Sequence, residues 1–191
     1  GYLKASDPVM LPNRLYEYKL EVPNLEISTV FETIIQSWIN NGPVKNDRLE
    51  LLLQALYENN MPIFQRVLNE FVVDTLSYYD TSGRNPEKVY QAFLLGMLAS
   101  SGAYEVSSNR ESGLGRYDIL MRPRDLSKQG VIMELKVYDP MFDESVEAVL
   151  ESALRQIEEK QYAATLRAAG VSNILKMAIT FDGKRVWVKQ A

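Results

Sequence analysis

Two carboxylates and one amine lie in segments of the sequence that otherwise favour β-strands. Asp118 falls in the segment RYDILMR, and Glu134 and Lys136 fall in the apolar segment GVIMELKV. Charged residues are uncommon in strands, so their presence there calls for a chemical reason. Side chains alternate between the two faces of a strand, which places Ile132, Glu134 and Lys136 on one face of the second segment.

The same alternation predicts that Arg116, Asp118 and Leu120 share a face of the first segment. If the two strands pair as a hairpin across the loop 122–130, Asp118 and Glu134 converge on one point. Two carboxylates at one point repel unless a cation lies between them, and Mg²⁺ binds such oxygens. Lys136 could then orient an attacking water or neutralise negative charge on a phosphate. The spacing fits an exposed strand face with a cross-strand charge pair equally well.

The composition removes most other catalytic chemistry. The 191 residues include no cysteine and no histidine, which excludes thiolate nucleophiles, zinc–thiolate sites and imidazole acid–base catalysis. The formal net charge of −4 does not favour nucleic-acid binding by the chain as a whole. No run of apolar residues is long enough for a transmembrane helix, and no signal peptide is recognisable, so we expect a cytoplasmic protein.

The first 80 residues are predicted to form a region of their own, with a short strand-like start in NRLYEYKLEVPN followed by helices. Apolar residues recur at helical intervals in three segments: 27–41, 46–60 and 61–79. We therefore expect a small helical bundle or linker before residue 81.

Residues 81–191 are predicted to form an α/β domain. Pro86 suits the first turn of a helix that Asn85 could cap, and three strand candidates follow at 103–109, 116–122 and 130–137. A long helix is expected from about 143 to 169, and an Asp182-Gly183 turn predicts a closing hairpin. The predicted order is α-β-β-β-α-β-β.

Three longer blocks carry a resemblance to a known family: LPNRLYEYKLEVPNLEIS, YQAFLLGMLASSGAYEVSSNRESGLGRYDI and QIEEKQYA…NILKMAITFDGKRVWV. Together with GRYDI…VIMELKV they resemble the PD-(D/E)XK nuclease superfamily. More specifically, the three blocks resemble the nuclease-like C-terminal domain of bacterial proteins that begin with an AAA-ATPase-like domain. The resemblance implies a restriction-endonuclease-like αβββαβ core, a mixed central sheet flanked by helices, with an N-terminal helical region. No Gly-x-x-x-x-Gly-Lys-Ser/Thr phosphate loop is present, so the chain is expected to be the part after the ATPase domain.

The resemblance also assigns roles to residues. It implies Asp118 and Glu134 as metal ligands and Lys136 as the catalytic lysine. A third acidic ligand from the first core helix would be Glu87, with Glu111 as the rival. Gln156 is assigned a supporting catalytic role. Because Tyr162 points away from Gln156 on an ideal continuous helix, ordinary packing is the favoured interpretation for Tyr162.

Further expectations follow from the resemblance. Family members commonly carry Tyr-His where this chain has Tyr90-Gln91, and an amide is a weaker metal ligand than an imidazole. Arg110 and Arg116 flank the predicted site and are candidate phosphate contacts. The expected function is nucleic-acid hydrolysis dependent on Mg²⁺ or Mn²⁺, with DNA favoured over RNA. The alternative is a nuclease-fold module that has little or no catalytic activity and binds nucleic acid or the ATPase domain.

Overall fold

The structure is a computed structural model that describes residues 4–10, 16–21, 47–76 and 86–191. The chain divides into two compact units, Gly1–Lys45 and Asn46–Ala191. In the first unit, β1 (Lys4–Met10) pairs with β2 (Tyr16–Glu21) in an antiparallel hairpin. β2 falls in the predicted strand-like start, whereas β1 was not predicted. The helix predicted over 27–41 lies outside the described residues.

The second unit begins with two helices that the sequence predicted, α1 (Asp47–Tyr57) and α2 (Met61–Thr75). The Asn60 side chain caps α2 by accepting a hydrogen bond from the backbone N–H of Ile63. The side chains of Gln65 and Asn69 on α2 accept hydrogen bonds from backbone N–H groups of the last strand. These two helices therefore belong to the same compact unit as the sheet, and a separate domain over residues 81–191 stays a prediction.

The remaining elements are one helix, three core strands with a small hairpin between the first two, two helices and a final strand pair. They are α3 (Pro86–Ala99), β3 (Tyr104–Ser108), β4 (Glu111–Ser112), β5 (Gly115–Arg116), β6 (Ile119–Pro123), β7 (Gly130–Val137), α4 (Val146–Glu159), α5 (Ala164–Ala168), β8 (Ile174–Asp182) and β9 (Arg185–Gln190). Residue 85, the predicted cap of α3, lies outside the described residues. The predicted order α-β-β-β-α-β-β is confirmed for the core elements, and β4, β5 and α5 are additional to it.

The sheet has the strand order β3-β6-β7-β8-β9. Neighbouring strands are antiparallel except β7 and β8, which are parallel because α4 and α5 carry the chain back across the sheet. This mixed sheet flanked by helices confirms the predicted restriction-endonuclease-like fold. The closing hairpin turns at Gly183, whose positive φ of 54° suits a glycine.

The central strand β7 is buried from Gly130 to Leu135. A strand covered on both faces must be apolar throughout, which explains the unbroken run Gly130–Met133. Ile132 packs with Leu120 of β6 and with residues of the α4–α5 region, among them Ile157, Tyr162 and Leu166. Glu134 follows in the same strand, so a carboxylate lies where the pattern of the strand demands apolar side chains.

Two predicted elements differ in the structure. The helix expected from 143 to 169 is broken between α4 and α5, because Gln161 takes a positive φ of 54° and the carbonyl of Lys160 accepts a hydrogen bond from Leu114. The strand expected over 116–122 begins only at Ile119, because Arg116 pairs within the small β4–β5 hairpin. Both differences arise from that hairpin, which packs against the end of α4.

Among residues 4–10, 16–21, 47–76 and 86–191, no helix has the length and apolar content needed to cross a membrane.

Candidate active site

The antiparallel register of β6 and β7 brings the two predicted carboxylates together. Ile119 pairs with Met133, so Asp118 and Glu134 each lie one residue beyond this pair, on facing chains. Asp118 lies in the bend before β6 rather than within a strand, so the prediction that Arg116, Asp118 and Leu120 share a strand face was wrong. Its carboxylate is held instead by the partner strand, since Oδ2 accepts a hydrogen bond from the Leu135 backbone N–H at 2.8 Å.

Gln91 of α3 holds the bend that carries Asp118. Its Nε2 donates to the carbonyl oxygen of Asp118 at 2.9 Å, and its Oε1 accepts from Asn109 Nδ2 at 3.2 Å. Asn109 has a positive φ of 52°, and its backbone N–H donates to the carbonyl of Tyr117. The buried Gln91 amide thus joins the two ends of the segment that leads into Asp118. The sequence indicated Gln91 only by comparison with the family pattern.

Glu134 is almost fully buried, with 2% of its surface exposed. Its Oε1 accepts hydrogen bonds from Lys136 Nζ at 2.8 Å and from Gln156 Nε2. Its Oε2 is buried and has no hydrogen-bond partner among the described residues. Burial and then the negative charge of Asp118 raise the pKa of the Glu134 carboxyl to about 7. This carboxylate is therefore costly to ionise unless a further positive charge binds nearby.

Lys136 lies on the same strand face as Glu134, and 27% of its side chain is exposed. Burial lowers the pKa of its amine, but the carboxylates of Glu134, Asp118 and Glu87 outweigh burial and leave that pKa above its usual value. Lys136 is therefore positively charged and reaches solvent at the edge of the carboxylate pair. An amine in this position can donate hydrogen bonds to a phosphate oxygen or to a water molecule.

Gln156 and Tyr162 form a hydrogen-bonded chain that ends at the Glu134 carboxylate. Gln156 Nε2 donates both to Glu134 Oε1 and to the Tyr162 hydroxyl oxygen, the second at 3.1 Å. The prediction that Tyr162 points away from Gln156 was wrong, because it assumed a continuous helix and the chain turns at Gln161. The expected packing role of Tyr162 is also present, since its ring lies in the apolar cluster beside Tyr117 and Ile132.

Two acidic residues were candidates for a third ligand. Glu87 lies in the first turn of α3, and desolvation and then the charge of Asp118 raise the pKa of its carboxyl. Glu87 thus shares the electrostatic environment of the Asp118–Glu134 pair. Glu111 lies in β4, is exposed, and forms an ion pair with Arg116 at 3.6 Å on the same hairpin.

The arginines lie at different points around the sheet. Arg110 is exposed and directly precedes β4, and the side chain of Arg116 is 69% exposed in its ion pair with Glu111. Arg122 and Arg124 form ion pairs with Glu105. Because each strand residue advances the chain by about 3.3 Å, Arg122 lies about 10 Å along β6 from Ile119, the residue that follows Asp118.

The residues present fit a divalent cation of the Mg²⁺ type. Asp118 and Glu134 supply oxygen atoms, and the unpartnered buried Oε2 of Glu134 together with mutual repulsion of the carboxylates favours a bound positive charge. In the described part of the chain, no three Asp, Glu, His or Cys side chains are close enough together to form a complete metal site on their own. Mg²⁺ commonly keeps several water ligands, so one or two carboxylates suffice to hold it.

Comparison with known proteins agrees with this geometry. The sequence model of the PD-(D/E)XK nuclease superfamily matches residues 85–191, which is more than half of the chain and includes every core strand of the sheet. A search of curated proteins found no match. The match covers Asp118, Glu134 and Lys136, together with the helices α3 and α4. The chain belongs to the PD-(D/E)XK nuclease superfamily.

Proposed function

We propose that this protein is a metal-dependent nuclease that hydrolyses phosphodiester bonds in nucleic acid. The observation that supports this most strongly is the buried Glu134 carboxylate, with one oxygen held by Lys136 and Gln156 and the other unpartnered within the described residues. Nucleases of this superfamily usually use divalent metal ions, and their substrates are nucleic acids. An unpartnered buried oxygen costs free energy in a purely structural site, whereas it is useful in a site that binds a cation.

Each residue of the site has a proposed role. Asp118 and Glu134 hold Mg²⁺ or Mn²⁺, and Glu87 on α3 adds negative charge to the same electrostatic environment. The ion would supply a Lewis acid next to the phosphate. Lys136 donates a hydrogen bond to a phosphate oxygen or orients the attacking water, which stabilises the negative charge that develops during hydrolysis.

The neighbouring residues position this set. Gln156 fixes the orientation of the Glu134 carboxylate through its hydrogen bond to Oε1. We propose that Arg110 and Arg116 contact phosphates further along the nucleic acid, with Arg116 exchanging its exposed ion pair with Glu111 for a phosphate. Exposed ion pairs contribute little to stability, so this exchange has a small cost.

Several finer statements belong to the same proposal. We infer DNA rather than RNA as the substrate, a cytoplasmic bacterial protein, and an AAA-ATPase-like domain in the same full-length chain. The support for these is the resemblance of three long sequence blocks to the C-terminal domain of such proteins. We also infer that residues 81–191 form the nuclease domain.

A second candidate function is nucleic-acid or ATPase-domain binding with little or no hydrolysis. The observation that favours it is Gln91, where the family resemblance implies a histidine. Its Nε2 donates to the Asp118 carbonyl and its Oε1 accepts from Asn109, so this amide is engaged in holding the bend at Asp118. The two functions share the fold and differ in whether a metal ion binds.

The proposal is tested by metal binding and hydrolysis measured on the same variants. Titration calorimetry with Mg²⁺ and Mn²⁺ would compare the parent protein with Glu134→Gln and Lys136→Met, and gel assays would follow cleavage of single- and double-stranded DNA and RNA. We expect metal binding to be lost in Glu134→Gln and retained in Lys136→Met, with cleavage lost in both. Matched controls are Glu151→Gln and Lys189→Met, an exposed acid–base pair across α4 and β9. If the parent binds neither metal at millimolar concentration, the nuclease proposal fails and the binding function stands.

A further inference from the structure

Two large apolar side chains stand out in solvent directly after β7. Met141 and Phe142 are 84% and 85% exposed, the highest values among the large apolar residues that the structure describes. They are neighbours in the segment 138–145 between β7 and α4. Single exposed apolar residues are common on protein surfaces, whereas an adjacent pair this exposed beside a candidate active site suggests a contact surface.

Hydrogen bonds hold this segment in a defined turn. The backbone N–H groups of Phe142 and Asp143 both donate to the carbonyl of Asp139, at 3.0 and 2.8 Å. The side chain of Asp139 accepts from the Met141 N–H, and the side chain of Asp143 accepts from the Asp139 N–H. The backbone that carries Phe142 is therefore preformed, which lowers the entropic cost of ordering this segment on binding.

A pocket joins Phe142 to the candidate active site. Its volume is about 240 Å³, compared with about 350 Å³ for another pocket near the end of the chain. It is lined by Lys136 and Val137 at the end of β7, by Phe142 and Glu144 in the turn, and by Val149 and Ser152 of α4. Because Lys136 borders both places, a molecule whose phosphate contacts Lys136 has its neighbouring atoms at the mouth of this pocket.

The charged residues that line the pocket favour a phosphate near Lys136 and a nucleobase near Asp143 and Glu144. The Lys136 amine, which forms an ion pair with Glu134 at 2.8 Å, borders the pocket and suits a phosphate oxygen. Asp143 and Glu144 also line the pocket, and their carboxylates repel a phosphate but accept hydrogen bonds from the N–H groups of a nucleobase. The apolar walls and the exposed ring of Phe142 suit a flat aromatic group. The arrangement thus matches a base beside its own phosphate.

We propose that this pocket binds an unpaired nucleobase of the substrate, with the base stacked on Phe142 and its phosphate at Lys136. This rests on the proposed nuclease function and adds a substrate class. A paired base inside a duplex is stacked on both faces and cannot stack on a side chain as well, so the substrate is single-stranded, or has unpaired nucleotides, at the point of contact.

The test separates base stacking from phosphate binding and from hydrolysis. Phe142→Trp is introduced into the full chain with the Glu134→Gln background, which keeps the strand intact during the measurement. Tryptophan fluorescence is then titrated with an oligodeoxycytidylate, an abasic strand of equal length, and a duplex containing the oligodeoxycytidylate. We expect strong quenching by the single strand and little by the abasic strand or the duplex. The same background without the Phe142 change corrects for the native tryptophans.

A second variant tests the energetic contribution of the ring. Phe142→Ala should weaken binding of the single strand about tenfold, the size expected for one stacked base, and leave binding of the abasic strand unchanged. Leu126→Ala is the matched control, because Leu126 is also an exposed apolar residue but lies in the loop 124–129 at the far end of β6. Equal thermal stability of both variants would show that the fold is intact.

The outcomes distinguish this inference from the nuclease proposal. If the parent protein cleaves nothing but the single strand still quenches the new tryptophan, the base pocket stands and the nuclease proposal fails. A second outcome is that the parent cleaves nucleic acid but each variant, Phe142→Trp and Phe142→Ala, binds the abasic strand as tightly as the base-bearing strand. The base pocket is then wrong and the nuclease proposal stands. Concentration-dependent self-association that Phe142→Ala abolishes, without any base effect, would also overturn the pocket by assigning the ring to a protein contact.

Discussion

The carboxylate of Asp118 accepts a hydrogen bond from the backbone N–H of Leu135, the residue between Glu134 and Lys136. The strand that carries two of the site residues therefore also fixes the side chain of the third. Backbone geometry, rather than attraction between the side chains, holds the two carboxylates beside each other. A cation that binds between them meets a site whose acidic groups are already in place, which lowers the cost of ordering on binding.

The Gln91 amide is expected to be necessary for this placement. Gln91→Leu removes both hydrogen bonds of the amide and leaves the Asp118 carbonyl without its side-chain donor, so the protein should lose about 1–3 kcal/mol of unfolding free energy. Urea denaturation measures the loss, and amide hydrogen exchange at Leu135 should become faster as Asp118 loosens. Gln54→Leu is the control, because Gln54 is exposed on α1 and should change stability by less than about 0.5 kcal/mol. Unchanged exchange at Leu135 would show that Gln91 does not position Asp118.

The metal-free protein is expected to become less stable as the pH rises. The pKa of Glu134 in the folded state is about 7, above its usual value of 4.5, so the folded state keeps a proton that the unfolded state has already lost. Stability therefore falls between about pH 4.5 and 7 by roughly 3 kcal/mol and levels off above that range. Urea denaturation in EDTA at a series of pH values measures the slope. Glu134→Gln should flatten it, and Glu151→Gln, an exposed control, should keep it.

A divalent metal should remove this trend, because it neutralises the charge that makes ionisation costly. In Mg²⁺ the parent protein is expected to keep its stability as the pH rises to 7, since deprotonated carboxylates bind the ion and the stabilisation by Mg²⁺ therefore grows with pH. The measurement repeats the pH series in saturating Mg²⁺. A pH slope that is the same with and without the metal would count against Glu134 as a ligand.

The Tyr162 hydroxyl should affect the site as well as stability. Tyr162→Phe removes the oxygen that accepts from Gln156, and Tyr104→Phe removes a comparable buried hydroxyl that donates to the Gln129 carbonyl at the other end of the sheet. Both variants should lose about 1 kcal/mol of stability. Only Tyr162→Phe should weaken metal binding, by up to about tenfold, because Gln156 then holds Glu134 less firmly. Equal metal affinity in the two variants would limit Tyr162 to packing.

The small β4–β5 hairpin should be sensitive to a single methyl group. At Gly113, with φ of 59°, an added Cβ would lie 2.3 Å from the Lys160 carbonyl oxygen, whereas at Gly183, with φ of 54°, it would meet nothing within 4 Å. Gly183→Ala should therefore cost only the backbone strain, about 1–2 kcal/mol. Gly113→Ala adds a clash with backbone and should cost at least about 3 kcal/mol by thermal or urea denaturation. Equal losses would mean that the hairpin shifts freely away from α4.

Much of the site follows from patterns that are local in the sequence. Alternation along β7 correctly placed Glu134 and Lys136 together on the face of Ile132, and the two apolar segments predicted the hairpin that brings Asp118 to them. Helical periodicity identified α1 and α2, because the spacing of apolar residues depends only on the geometry of the element itself, and the start signals at Asn85 and Pro86 identified α3. The order of elements followed from local patterns of this kind, and the resemblance to the nuclease superfamily supplied the fold class.

Other features depended on contacts between distant parts of the chain. The amide that holds Asp118 comes from a residue 27 positions earlier, and the break in the predicted long helix comes from the hairpin around Gly113. Neither has a local signature, since a glutamine on a helix and a continuous helical pattern each have a good local interpretation of their own. The bend at Asp118 and the contact between Gln156 and Tyr162 follow from that packing.

The sequence by itself determined which residue types are available for chemistry, which segments form strands and helices, and which charged side chains interrupt an apolar strand. Only the tertiary structure decided that Asp118 is held by Leu135 and Gln91, that Glu134 keeps one buried oxygen unpartnered within the described residues, and that Phe142 borders the same site as Lys136. The physical reason is that local periodicity sets the direction of a side chain relative to its own element, whereas hydrogen bonding, burial and pKa depend on which other elements pack against it.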